Sequence, residues 1–266
     1  MVEVSWIIEE LENWAPAEWA EDWDNVGLLV GDAKSPVSKI LVALDVSEEV
    51  VAEAIAGRYD LLISHHPLIY SPLKRITADT LQGRKILSLI KSEVGLYCAH
   101  TNLDKAPGGV NDCLFAALGL KNPEEMLPDG SSVGLGRVGQ LSNEMTLAEL
   151  AAHAKNALNL PDIRFAGDGN AVIKKVGVCG GSGSDSRFLH AARQKGCDVY
   201  LTGDLRYHGV QEALEMGLKV IDITHYASEI PVVDAVVLRL RDAAEKAGKK
   251  LIIAASQANG QVFQSK

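Results

Sequence analysis

The strongest constraint on the fold is a repetition inside the chain. A short apolar run, Lys39-Ile-Leu-Val-Ala-Leu44, leads through a helical pattern to a second run, Tyr59-Asp-Leu-Leu-Ile-Ser64. The same order returns as Lys175-Val-Gly-Val-Cys-Gly180, a helix over 187–195, and Cys197-Asp-Val-Tyr-Leu-Thr202. Each copy continues to a further helix and a third strand ending in histidine, Leu96-Tyr-Cys-Ala-His100 and Val220-Ile-Asp-Ile-Thr-His225. An acid stands four residues beyond each histidine, Asp104 and Glu229. Short continuous apolar runs alternating with helices are the pattern of parallel strands buried on both faces. Parallel neighbours need a crossover, which the helices supply. Self-similarity on this scale predicts two related α/β lobes facing each other.

Local signals place the remaining elements. Trp6, Ile7, Leu11 and Trp14 fall at helical spacing over 5–14, and Pro16 stops that helix. Ser47 before Glu48 and Glu49 reads as an N-cap with acids in the first turn, and Gly57 ends the helix. Further helices are expected over 79–93 and, after Gly108-Gly109, over 110–118. Residues 121–145 are richer in Pro, Gly and Ser, show no clear helix, and contain a candidate strand over 133–141. They hold the expected lobe boundary. Thr146-Leu-Ala-Glu149 is a capping box opening a helix to about Leu158.

Composition narrows the function classes. A chain of 266 residues with 47% hydrophobic residues can bury a sizeable core. A formal net charge of −9 argues against a general binder of phosphate backbones. No run of 18 apolar residues is present, so no membrane span is expected. Met1-Val-Glu-Val-Ser-Trp6 has neither a basic nor an apolar leader pattern. Cys98, Cys113, Cys179 and Cys197 are far apart and form no CxxC pair, which suits reduced thiols in a cytoplasmic protein.

Ligands in open α/β sheets bind beyond the carboxyl ends of the strands. Four such ends carry polar, metal-competent groups: Ser64-His65-His66-Pro67, His100-Thr-Asn-Leu-Asp104, Thr202-Gly-Asp204 and Thr224-His225-Tyr-Ala-Ser-Glu229. Neutral imidazole with carboxylate is a ligand set for Zn, Mn, Fe, Co or Ni. Adjacent residues in a strand point to opposite faces, but past the strand end the backbone turns, so His65 and His66 can each face a different ion. A carboxylate can bridge two cations, and the cations offset the cost of burying acids together.

Asp22-Trp-Asp-Asn-Val-Gly-Leu28, Ile63-Ser-His-His-Pro-Leu-Ile69, Ala99-His-Thr-Asn-Leu-Asp104, Gly108-Gly-Val-Asn-Asp112, Cys179-Gly-Gly-Ser-Gly183, Leu201-Thr-Gly-Asp204 with Tyr207-His208, and His225-Tyr-Ala-Ser-Glu229 occur in that order. Together they resemble the Nif-three-like dinuclear metal proteins, also called GTP cyclohydrolase 1 type 2 homologs. The likeness covers nearly the whole chain and matches the compact members that lack an inserted domain. It implies an α/β fold of two related lobes with mixed sheets, 1–125 and 126–266, facing a shared dinuclear metal cleft, with the C-terminal segment able to pack back on the first lobe. It implies two divalent ions per subunit. His65 and Asp104 would hold one, His66 and His225 the other, and Glu229 would bridge both. It also implies a toroidal homohexamer. Asp204 stands where relatives often have Glu, which leaves its role open. The duplication makes His100 the counterpart of His225, and His100 is expected beside the metals as a proton carrier. His208 is a further candidate for proton transfer or substrate contact.

The expected activity is metal-dependent hydrolysis of a nucleotide or related phosphorylated small molecule, with water activated by two ions, His100 and Glu229 being the catalytic candidates. The rivals are a metal-dependent phosphoesterase and a non-catalytic dinuclear-metal regulatory or scaffold protein. A nucleic-acid partner within the ring is disfavoured by the charge. Gly180-Gly-Ser-Gly183 could offer backbone N–H groups to an anion but reads better as a plain turn. Lys74, Arg75 and Arg206 could attract phosphate. Trp6, Trp14, Trp19 and Trp23 are expected in core or subunit contacts rather than in a base-stacking platform.

Overall fold

The computed structural model describes residues 2–128, 133–258 and 260–264. The chain divides into two compact units, Met1–Leu103 with Val233–Gly260, and Asp104–Val232 with Gln261–Lys266.

The first unit is built on a five-stranded sheet in the order Ile252–Ala255, Lys39–Ala43, Leu61–Ser64, Gly95–Cys98, Gly27–Val30. The first four strands run parallel and Gly27–Val30 is antiparallel to its neighbour. Every residue of Leu61–Ser64 is buried, as a strand covered on both faces requires. Helices Glu48–Ala56 and Leu81–Lys91 contribute Val50, Val51, Ala54, Ile86 and Leu89 to one core with Leu41, Leu62 and Leu96. Ser47 caps the first of these, its Oγ accepting from Val50 N at 3.2 Å. Helix Pro231–Lys246 carries the chain back into this unit, and Ile252–Ala255 then adds a parallel strand beside Lys39–Ala43.

The second unit carries a six-stranded sheet in the order Lys121–Pro128, Gly134–Thr146, Val172–Val178, Val199–Thr202, Lys219–Asp222, Arg164–Ala166. Its three strands from Val172 to Asp222 are parallel neighbours, and the flanking pairs are antiparallel. The capping box at Thr146 forms as the sequence predicts, with Glu149 N bonded to Thr146 Oγ1 at 3.2 Å and Thr146 N to Glu149 Oε2 at 2.8 Å.

The expected duplication is visible in the topology. In each unit three parallel strands lie side by side in chain order. In each, a strand from earlier in the chain packs antiparallel against the third: Gly27–Val30 on Gly95–Cys98, and Arg164–Ala166 on Lys219–Asp222. The sequence expectations missed Val2–Glu3, Pro36–Val37, Arg164–Ala166 and Ile252–Ala255, and the longest strand they missed is Lys121–Pro128. It is an edge strand, mostly exposed, with a register shift between Lys121 and Glu124. An edge position tolerates Pro123 and Pro128 and imposes no apolar pattern, so periodicity could not reveal it. Among the described residues, no helix is long and apolar enough to cross a membrane.

Candidate metal centre

In the first unit the adjacent parallel strands Leu61–Ser64 and Gly95–Cys98 end level, with Ser64 opposite Cys98. His65 and His66 follow one strand and His100 the other, so strand spacing alone brings the three rings near each other. The ring centroids of His65 lie 5.0 Å from His66 and 5.1 Å from His100, and those of His66 and His100 are 5.6 Å apart. One potential ligand atom from each lies within 4.8 Å of the others. The turn that gathers His65 and His66 is fixed by backbone bonds from their N–H groups to Ala43 and Leu44 carbonyls and by Ser64 Oγ donating to His66 O at 2.9 Å.

Each ring is held on its Nδ1 side. His65 Nδ1 lies 2.9 Å from the Ala99 carbonyl, His66 Nδ1 2.8 Å from Asp45 Oδ1, and His100 Nδ1 2.8 Å from Asp24 Oδ1. Carbonyls and carboxylates only accept, so Nδ1 carries a proton and Nε2 is the atom left to face a ligand site. That is the arrangement a metal ligand needs, fixed by the acceptor behind it. Asp24 is itself tied down by Thr101 N and Oγ1 at 3.0 and 2.5 Å. Burial alone would raise its carboxyl, but the hydrogen bond and charge of His100 and the bonds from Thr101 hold it well below the usual carboxylate range. Cys98 donates to the His65 carbonyl at 3.1 Å. Burial, with the Asp24 charge, raises its thiol, so it stays a neutral packing group rather than a thiolate ligand.

In the second unit His225 opens the short helix His225–Glu229, and Glu229 is buried one turn later on the same helix face. His225 Nδ1 lies 2.8 Å from Asp204 Oδ2, and its Nε2 lies 3.1 Å from Glu229 Oε2. The role left open for Asp204 is thus to orient His225. Asp104 lies in helix Thr101–Lys105, half-buried, with its carbonyl accepting from Asn111 Nδ2 at 2.9 Å. Asn111 also accepts from Gly180 N at 3.0 Å.

The glycine segment is a turn, not an anion cradle. Gly180, Gly181 and Gly183 give their N–H groups to Asn111, Ser228 and Thr202 side chains. Gly181 adopts φ +66°, and a Cβ there would run into Glu229 Oε1 and come within 3.4 Å of His225 Nε2. Its glycine therefore makes room for the carboxylate.

His208 stands exposed on helix Tyr207–Glu215, bonded to Gln211 Oε1 at 3.1 Å. Lys74, Arg75 and Arg206 are exposed. Trp14 is buried with Arg239 over its ring, as expected for a core tryptophan. Trp23 is not in the core of this chain: it is 49% exposed and sits edge-on to His100. Asp24 and Asp45 received no role from the sequence. Asp45 follows the strand Lys39–Ala43, so the strand-end rule would have found it; Asp24 precedes an edge strand, where no such rule points.

A model of the DUF34/NIF3 (NGG1p interacting factor 3) family matches residues 2–260. The chain belongs to the DUF34/NIF3 family. A Clostridium perfringens protein named GTP cyclohydrolase 1 type 2 homolog is 46% identical over 228 residues, covering 85% of this chain and 86% of its own. A Streptomyces coelicolor protein of the same name is 40% identical over 97% of this chain and 92% of its own. Among solved structures, a Bacillus cereus protein related to NIF3 superposes with a TM-score of 0.94 at 28% identity, over 100% of this chain and 99% of that one. Imidazoles beside carboxylates are a donor set that suits a divalent transition metal, and each of the two units of this DUF34/NIF3 chain carries such groups.

Proposed function

We propose that this protein is a metal-dependent hydrolase acting on a nucleotide or related phosphorylated small molecule with two divalent cations. The observation that carries the reading is the shared state of four strand-end histidines, His65, His66, His100 and His225, each with Nδ1 facing an acceptor. Family membership supports the ligand assignment: His65 and Asp104 for one cation, His66 and His225 for the other, and Glu229 for both. When bound, such cations lower the pKa of water toward neutrality and polarise the electrophile. His100, with Nδ1 committed to Asp24, keeps Nε2 to accept a proton and return it to the leaving group. Asp24 then stabilises the imidazolium. The free state of the four cysteines fits a reducing cytoplasm, and the family resemblance favours a hexameric ring, which light scattering would read.

The test is purified protein with defined Zn, Mn, Fe, Co or Ni, incubated with GTP, other nucleotides and generic phosphodiesters. Metal-dependent turnover is expected, abolished by Glu229→Gln. His100→Ala should keep the metal stoichiometry and lose turnover by at least about 100-fold. No turnover on any nucleotide or diester, with chelator-induced melting, would replace the hydrolase with a metal-braced scaffold.

A further inference from the structure

Two exposed aromatic rings stand beside the histidine trio. Trp23 and Tyr70 are 49% and 53% exposed, with ring centroids 5.9 Å apart, and the Trp23 ring centroid is 6.1 Å from that of His100. Leaving such large rings in water forgoes the burial that would stabilise the fold. Both are nevertheless held in place by neighbours. Asp24, next to Trp23, has a fully sequestered side chain tied to His100 and Thr101. Asn25 Nδ2 donates to the Ile69 carbonyl at 2.5 Å, joining the Trp23 segment to the residue before Tyr70. The rings are thus pre-positioned without being buried.

We propose that Trp23 and Tyr70 form a stacking ledge for the planar ring of the substrate, a nucleobase. This rests on the nucleotide reading above and names the residues that would hold the base. A π-face accepts any base, so the ledge supplies affinity and position rather than sequence discrimination. Its 6.1 Å spacing to His100 would put a stacked ring within one residue's reach of the proton-accepting nitrogen. Position so gained lowers the barrier without new chemistry.

The experiment is equilibrium binding of guanosine monophosphate, adenosine monophosphate and ribose 5-phosphate to the full metal-loaded protein, for wild type, Trp23→Ala, Trp23→Phe and Tyr70→Ala. Metal content and oligomeric mass are measured on the same samples. Both nucleotides should bind more tightly than ribose 5-phosphate. Trp23→Ala should weaken nucleotides at least about tenfold, leave ribose 5-phosphate and metal content unchanged, and be rescued by Trp23→Phe. Tyr70→Ala should act in the same direction. Equal binding of nucleotides and ribose 5-phosphate, or nucleotide binding unmoved by Trp23→Ala, overturns the ledge. A changed oligomeric mass with unmoved nucleotide binding also overturns it, the rings then belonging to a contact between copies. Ring-dependent binding without turnover would keep the ledge and remove the hydrolase; turnover with a KM unmoved in Trp23→Ala would do the reverse.

Discussion

In the first unit the histidine after the third strand, His100, gives its Nδ1–H to Asp24, which precedes the antiparallel strand Gly27–Val30. In the second, His225 gives its Nδ1–H to Asp204, which follows the second parallel strand. The duplicated topology thus repeats the histidine but not the source of its partner. What chemistry demands is an acceptor behind Nδ1, and either position meets it. The two braces also differ in kind. The Asp24 side chain is sequestered and also binds Thr101, whereas Asp204 is half exposed and stands in the left-handed region at φ 53°. One aspartate holds together a piece of the fold; the other serves its histidine.

Asp24→Ala should therefore give the largest effect on that comparison. It leaves Thr101 N and the His100 ring without their acceptor in a buried setting, at a cost of about 2–4 kcal/mol in chemical denaturation. The pH dependence has a definite sign. The folded carboxyl titrates below its unfolded value near 3.8, so its contribution is fully present above that pH. It is lost as pH falls through the folded value. Wild type should lose stability below about pH 4 more steeply than Asp24→Asn, and matching acid limbs would show that the ion pair contributes nothing.

The second unit accommodates its carboxylate with glycine, so Gly181→Ala comes next. The new Cβ must displace Glu229, and alanine is strained at φ +66°. A loss of about 1–2 kcal/mol in stability is expected, with metal affinity, read by competition with a chromogenic chelator, down at least about tenfold. Unchanged affinity would mean that Glu229 does not contribute to holding metal.

These differences mark how much the sequence could show. The parallel cores were legible because residues 40–43, 61–63 and 199–201 are continuous apolar runs. The histidines were legible because strand ends are where such sheets place ligands. The edge strand Lys121–Pro128 was not, since exposure removes the pattern that betrays a strand. Nor was the place of Trp23 beside His100, where bonds of its neighbours Asp24 and Asn25 tie the segment down.

Asp204→Ala should sharpen the contrast with Asp24. It removes one bond from a half-exposed carboxylate, so stability should stay within about 0.5 kcal/mol. Metal affinity should fall about 10- to 100-fold, because the His225 ring loses the acceptor that fixes its tautomer. A large loss of stability would make the two aspartates equivalent and erase the distinction.

An effect of opposite sign should come from the backbone beneath His225. Thr224 has φ 60° and ψ 153°, a conformation nearly confined to glycine, while its Oγ1 accepts from Ala227 N at 3.4 Å and from Gln261 Nε2 at 3.1 Å. None of His65, His66 and His100 has a positive φ. The second unit therefore places its histidine partly by strain and the first by side-chain bonds. Thr224→Gly relieves that strain, and glycine in place of threonine at an N-cap costs only a few tenths of a kcal/mol. The variant should be more stable by about 1 kcal/mol and should bind metal more weakly, because the turn no longer prefers the angle that aims His225. A variant that gained stability and kept its affinity would show that helix His225–Glu229 and the Asp204 bond suffice, leaving Thr224 as strain without a purpose at this site.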